Sequence, residues 1–223
     1  MATRFSDHLH AIAKPIWRAQ LQHPFVRAIG DGTVDRERFQ YWVLQDYVFL
    51  IEYARLFAIA SARAPDLETM TAFANLTQET LAAEMSLHRA YAAEFGISAA
   101  QLAAEAKSPT TQAYTDFLLR TATLGDFAEL VAALLPCMWG FCEIGVSLKQ
   151  TGLPSDPLCA RWVEMYASPE FVALAEWCRE LMDHLGEGLD AAGRGRAEEA
   201  FVTSSRYELR FWEMAQRLET WEA

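Results

Sequence analysis

Ala133-Leu134-Leu135-Pro136-Cys137-Met138-Trp139-Gly140-Phe141-Cys142-Glu143-Ile144-Gly145 is an apolar run of helix length with a proline one position before a thiol. Inside a helix, proline removes one backbone donor and crowds the carbonyl four residues earlier, so a bend is expected near Pro136, offsetting the two segments around Cys137. A thiol beside a bend can face a cavity. Free cysteine is also among the most buried residue types, so the bend alone does not make Cys137 a nucleophile. Just upstream, Asp126-Phe127-Ala128-Glu129 reads as a capping box, and the helix it opens ends near Gly152.

Outward from this segment, apolar residues recur at spacings of three and four with caps between them, and strand signals are nearly absent. The reading is all-α: one multi-helix bundle domain over residues 1–223, with no composition shift long enough for an interdomain linker. A first helix is expected from about Ser6 to Gln22, stopping before His23-Pro24, and Gly30-Asp31-Gly32 reads as a turn. Thr33 is read as the cap of a long helix through Arg63, ended by Ala64-Pro65, and a third helix spans about Asp66 to Phe95 before Gly96. Ser98-Ala99-Ala100-Gln101 reads as a capping box, and Ser108-Pro109 as a cap with the proline favoured at the first helical position. Pro154 and Pro157 mark a loop, Ser168-Pro169 opens a helix to about Leu185, and Gly186 to Gly195 reads as a turn-rich interval. The last helix is expected from Arg196 to about Thr220.

Composition narrows the function classes. The 223 residues are 52% hydrophobic and 12% aromatic, enough to bury a substantial core. A formal charge of −11 argues against binding nucleic acid or an anionic membrane, since no Lys/Arg cluster is available to displace counterions from phosphates. The N-terminal segment Met1 to His8 lacks the apolar core of a signal peptide, and no uncharged apolar stretch of roughly 18 residues is found, so a cytoplasmic location is expected. Cys137, Cys142, Cys159 and Cys178 lack C-x-x-C spacing, which argues against zinc or a disulfide framework and for reduced thiols.

Charged residues fall where core residues belong. Asp46 lies on the apolar stripe of Phe39, Trp42, Val43, Phe49, Leu50 and Tyr53, and Glu208 lies between Ser205 and Trp212 on an inward row with Phe201 and Ala215. Glu84 and His88 stand one turn apart on the third helix. A buried carboxylate without partners costs several kcal/mol, so each acid must be paired, protonated or facing a polar pocket. A structural hydrogen-bond network accounts for any one of them, but several together, with Tyr41, Tyr47, Phe49, Tyr114, Phe141, Tyr166, Tyr207 and Phe211 near them along their helices, suit a slot for a flat ring. A di-iron bundle needs Glu-x-x-His on two helices, and Glu84 and His88 are four apart without a second copy. His8, His10 and His23 are the candidates for a haem ligand, and lone histidines are mostly structural. No metal or other cofactor is therefore expected.

Several strings along nearly the whole chain carry a family resemblance: His23-Pro24-Phe25-Val26 with Ile29-Gly30-Asp31-Gly32-Thr33, Val43-Leu44-Gln45-Asp46, Glu84-Met85-Ser86-Leu87-His88, Leu134-Leu135-Pro136-Cys137, and Ser204-Ser205-Arg206-Tyr207-Glu208 followed by Phe211-Trp212. With these the chain resembles the TenA family, the thiaminase II or aminopyrimidine aminohydrolase group, in its cysteine-bearing branch. The resemblance implies a haem-oxygenase-like fold without haem, a homotetramer, and a hydrolase that salvages the pyrimidine half of thiamin. The implied substrate is 4-amino-5-aminomethyl-2-methylpyrimidine, with thiamin itself as the other candidate. The family's nucleophile matches Cys137, its general acid Glu208 and its substrate-orienting carboxylate Asp46; Tyr114 and Tyr166 match ring-contacting tyrosines. Phe49 and Phe141 stand where tyrosine is common, which keeps stacking and removes a hydroxyl. Two other readings stay open at this point: a non-catalytic pyrimidine- or thiamin-binding protein with an indirect regulatory role, and an oxygenase-type protein of the same fold using haem or a quinone precursor. Whether Glu84, His88 and Glu143 are more than structural stays open at this point.

Overall fold

The computed structural model describes residues 4–222; Met1–Thr3, on which the signal-peptide reading partly rests, and Ala223 lie outside them. Among the described residues there is no strand, and the all-α expectation holds. The helices are α1 (Phe5–Leu21), α2 (Pro24–Asp31), α3 (Arg36–Arg63), α4 (Leu67–Glu79), a π-helical turn (Thr80–Glu84), α5 (Met85–Glu94), α6 (Ala99–Ala103), α7 (Pro109–Leu124), α8 (Phe127–Gln150), α9 (Pro157–Tyr166), α10 (Pro169–Glu187) and α11 (Ala191–Arg217). They group into two compact units, one of residues 1–34 with 128–216 and one of residues 35–127 with 217–223.

Several boundaries differ from the sequence expectation, each for a local reason. His23-Pro24 starts a helix as well as ending one: His23 Nδ1 accepts from the Phe25 N–H at 3.2 Å, and Pro24 occupies the position where a missing donor costs nothing. Asp35, not Thr33, caps α3, accepting from the Arg38 N–H at 3.1 Å. Pro157 opens α9 behind Asp156, whose carboxylate accepts from both the Leu158 and Cys159 N–H groups. The interval read as turn-rich is largely helical. Gly186 belongs to α10, where an added Cβ would lie 2.6 Å from the Phe5 ring, so this glycine serves close packing of α1 on α10 rather than a turn. Asp190 accepts from the Gly193 N–H at 2.7 Å, which lets α11 begin at Ala191, ahead of the expected Arg196.

In the unit of residues 35–127 and 217–223, α3 lies against α4, α5 and α7. Its stripe of Phe39, Trp42, Val43, Asp46, Phe49, Leu50 and Tyr53 is buried, as the three-and-four spacing requires. Gln45 fixes this helix against the segment leading into α7. Its amide nitrogen donates to Glu105 Oε1 and the Ala106 carbonyl, both at 3.0 Å, and its amide oxygen accepts from the Ser108 N–H and the Thr111 hydroxyl, both at 2.8 Å. Two donor hydrogens and two acceptor sites are thus all used, as a buried amide demands. The C-terminal segment closes over the same place: the Tyr41 hydroxyl donates to the Glu219 carbonyl, Glu219 accepts from the Thr110 N–H at 2.8 Å, and Trp221 Nε1 donates to the Lys107 carbonyl at 2.9 Å.

In the other unit, α1 packs on α2 and α10, and α9 on α2 and α10. Two indole groups pin α1 and α11 together: Trp17 Nε1 donates to Ser205 Oγ at 3.0 Å, and Trp212 Nε1 donates to Gln20 Oε1 at 3.2 Å. α8 runs unbroken through Pro136. By length and composition α8 is apolar enough to cross a bilayer, a property that counting only uncharged residues misses because Glu143 interrupts the run; 72% of its most apolar window is buried inside the protein, which makes it a core helix.

Candidate active site

Of the sequence-predicted residues, Asp46, Phe49 and Tyr114 belong to the α3 unit, and Cys137, Phe141, Tyr166 and Glu208 to the α8 unit. In the α3 unit, Asp46 is 3% exposed and Phe49 follows it by one turn on the same buried face. The Phe49 ring lies 5.1 Å from Tyr114 and 5.4 Å from Tyr53, so three rings share one wall beside the carboxylate's helix face. Tyr114 reaches it from α7, whose start is held by the Gln45 network.

Asp46 is not alone in its burial. Oδ2 of Asp46 stands 2.7 Å from Nε2 of fully buried His88, whose Nδ1 lies 2.9 Å from the backbone carbonyl oxygen of Glu84. Burial pushes the Glu84 carboxyl up to about 7, the neighbouring Asp46 charge adds to that, and His88 and a hydrogen bond from Thr80 oppose it. The Glu84–His88 spacing of one turn was visible in the sequence, but nothing there joined it to Asp46 across helices. The π-helical turn that precedes His88 is a local widening common at functional sites.

In the α8 unit, the four cysteines divide sharply. Cys142, Cys159 and Cys178 are buried, and burial pushes all three thiols up, those of Cys159 and Cys178 to about 12. Cys137 alone of the four retains partial exposure. One turn on, the Phe141 ring lies 4.9 Å from Tyr166 and 5.0 Å from Trp212, with Trp162 4.6 Å from Tyr166 behind them. Glu208 is 2% exposed and precedes Trp212 by one turn of α11, so the indole pins that set the roll of α11 also set the direction of this carboxyl.

Sequence reasoning missed Gly145. A Cβ at this position would lie 2.7 Å from the Tyr166 carbonyl carbon, so the absence of a side chain lets α9 approach α8 closely enough for Tyr166 to meet Phe141. A glycine four residues after an aromatic in an otherwise unbroken apolar helix is the signal that could have found it. Trp17 and Gln20 were missed too, since polar partners of a buried indole cannot be paired from spacing alone. Glu143 sits at the edge, 3.3 Å from His10 Nε2. Among the described residues, no group of three or more His, Cys, Asp and Glu side chains is placed to hold a metal ion.

Helices carrying buried acids and ring walls in this arrangement define the class first. A solved domain with a heme oxygenase-like fold from Shewanella denitrificans OS217 matches with a TM-score of 0.73 at 14% identity, over 95% of this chain and 92% of that one, so the fold is haem-oxygenase-like. The chain belongs to the TENA/THI-4/PQQC family, whose profile matches residues 10–218. It is 44% identical over 218 residues to the aminopyrimidine aminohydrolase of Halalkalibacterium halodurans, covering 97% of each chain. The TenA homologue from P. horikoshii OT3 matches with a TM-score of 0.89 at 29% identity, over 96% of this chain and 99% of that one. The family resemblance read from the sequence strings is therefore borne out.

Proposed function

We propose that the protein is a hydrolase of thiamin salvage that converts 4-amino-5-aminomethyl-2-methylpyrimidine to 4-amino-5-hydroxymethyl-2-methylpyrimidine by covalent catalysis at Cys137. The observation that carries this reading is that Cys137 alone of four cysteines keeps partial exposure, in a chain 44% identical to an aminopyrimidine aminohydrolase. The three buried thiols are held protonated and out of reach, which suits a structural role.

In this mechanism the Cys137 thiolate adds to an electron-poor ring carbon, forming a C–S bond while Glu208 gives its proton to a ring nitrogen. A carboxyl held in a dry setting is suited to donate at neutral pH. The electron pair of the resulting enamine then expels the exocyclic amino group, which enters in its ammonium form and so leaves the methylene as neutral ammonia. Water adds to that methylene and loses a proton. Glu208 takes its proton back from the ring nitrogen as the C–S bond breaks, which restores the aromatic ring and the thiolate. Asp46 accepts a hydrogen bond from the 4-amino group, supplying the orientation that makes nucleophilic catalysis effective. Phe49, Tyr114, Phe141 and Tyr166 are the ring-contacting residues of this reading. A homotetramer and a cytoplasmic location belong to the same reading.

The test is direct: the purified protein is incubated with the aminopyrimidine and, separately, with thiamin, and release of the hydroxymethylpyrimidine is followed. Cys137→Ala should abolish release with helical content unchanged. Wild-type turnover by Cys137→Ala would overturn the nucleophile assignment, and tight binding without turnover by the wild type would favour a binding protein.

A further inference from the structure

His88 lies 0% exposed on α5 with both ring nitrogens engaged, Nδ1 with the Glu84 carbonyl oxygen at 2.9 Å and Nε2 with Asp46 Oδ2 at 2.7 Å. A carbonyl oxygen only accepts, so Nδ1 must carry a proton. Nε2 then meets the carboxylate with a second proton or with a bare lone pair. Two lone pairs facing each other at 2.7 Å in a dry setting repel, so the pair must hold one more proton between them. Asp46 Oδ2 lies off the direction of the Nε2–H bond, because Nε2 has no aligned acceptor despite the short distance. An ion pair tolerates such an angle better than a neutral hydrogen bond does, which favours the proton on the ring. Trp42 and Tyr91, with ring centroids 5.7 and 6.3 Å from the imidazole, hold its plane.

We propose that His88 is a positioning residue: as an imidazolium anchored on the Glu84 carbonyl, it keeps Asp46 ionised and occupies its Oδ2, so that Oδ1 is presented to the amino group of the bound aminopyrimidine. The inference rests on the assignment of Asp46 as the ring-orienting carboxylate and adds the group that holds it. An ionised carboxylate accepts from an exocyclic amine, whereas a protonated one can rotate and donate, losing the preference for the amino form of the ring. The charges facing the imidazole are Asp46 on α3 and Glu84 in the π-helical turn, with Glu79 acting in turn on Glu84. Burial by itself would drive the ring neutral, but the Asp46 contact, its charge and the Glu84 carbonyl outweigh burial, and the pKa of His88 ends raised.

Two arms test this on the full-length protein. In the first, long-range nitrogen–proton NMR of the imidazole reads the charge of His88 directly, without turnover. The wild type should show two protonated ring nitrogens at pH 7, and Asp46→Asn a neutral ring protonated at Nδ1; a neutral ring in the wild type at pH 6 would overturn the proposal. In the second, the Kd for the hydroxymethylpyrimidine product is measured from pH 6 to 9 for the wild type and His88→Asn. Binding by His88→Asn should be at least roughly tenfold weaker at pH 7, and the gap should narrow as the pH rises to 9. An unchanged Kd, or a deficit of equal size at every pH, would mean that His88 is merely structural. If His88→Asn does not fold, the NMR arm with Asp46→Asn decides. Failure of Cys137→Ala to lose activity would sink the catalytic reading while leaving both arms here intact.

Discussion

Gly145 of α8 faces the backbone of Tyr166 of α9 so closely that a Cβ would lie 2.7 Å from the tyrosine carbonyl carbon and 2.8 Å from its Cβ. Real Cβ atoms do not approach backbone atoms so closely, and a backbone carbonyl cannot swing aside as a side-chain tip can. Gly145→Ala is therefore expected to push α9 outward, separate Tyr166 from Phe141, and cost about 1–3 kcal/mol of stability through overpacking. Thermal unfolding and the KM for the aminopyrimidine check this together, and an alanine variant with wild-type values of both would show that α9 does not hold the ring wall in place.

The raised pKa of Glu84 makes stability depend on pH in a definite direction. The folded protein binds this proton more tightly than the unfolded chain, whose carboxyl titrates near 4.5, so stability falls as pH rises from about 4.5 to about 7. His88, also raised, works in the same direction, its contribution present below 6.5 and lost as pH rises through its folded value. Glu84→Gln should match the wild type near pH 4.5 and exceed it at pH 8 by up to about 3 kcal/mol. Urea unfolding at the two pH values measures the difference. A variant that is less stable at pH 8 would show that the ionised carboxylate is favoured in the fold.

Breaking one indole pin should be felt at Glu208. Ser205→Ala removes the acceptor of the buried Trp17 N–H and should cost about 1–3 kcal/mol, the penalty for an unsatisfied buried donor. Trp17→Phe with Ser205→Ala should cost less than the sum of the two single changes, since the double variant leaves no orphaned group. Additive losses in a double-mutant cycle would show that the 3.0 Å contact contributes nothing.

Thiol chemistry separates the cysteines without reference to substrate. Under native conditions, iodoacetamide should modify Cys137 well before Cys142, Cys159 or Cys178, which burial keeps protonated and shielded. Peptide mass spectrometry after timed quenching reads the order. Equal labelling of all four in the folded protein would remove Cys137's distinction.

Much of this was legible in residue order because helices report their buried faces through spacing. The stripe around Asp46 and the row around Glu208 were read correctly as buried, since Asp46 has large apolar neighbours three and four residues away on both sides and Glu208 has Phe211 and Trp212 after it and Phe201 two turns before it. Boundaries failed where one residue serves two purposes: His23-Pro24 both ends α1 and caps α2, and Gly186 looks like a turn but exists for Phe5. Contacts that join separate helices were illegible. Nothing along the chain couples Asp46 to His88, Trp17 to Ser205 or Gly145 to Tyr166, because each pairing depends on how helices roll against one another rather than on local sequence.

The central claim is that Cys137 attacks the ring, and trapping that bond tests it most directly. Intact-protein mass spectrometry of an acid-quenched reaction with the aminopyrimidine should show a ring-sized adduct that maps to Cys137, is diminished in Glu208→Gln and is absent from Cys137→Ala. Hydroxymethylpyrimidine released by Cys137→Ala at the wild-type rate, with no adduct on any cysteine, would contradict the account.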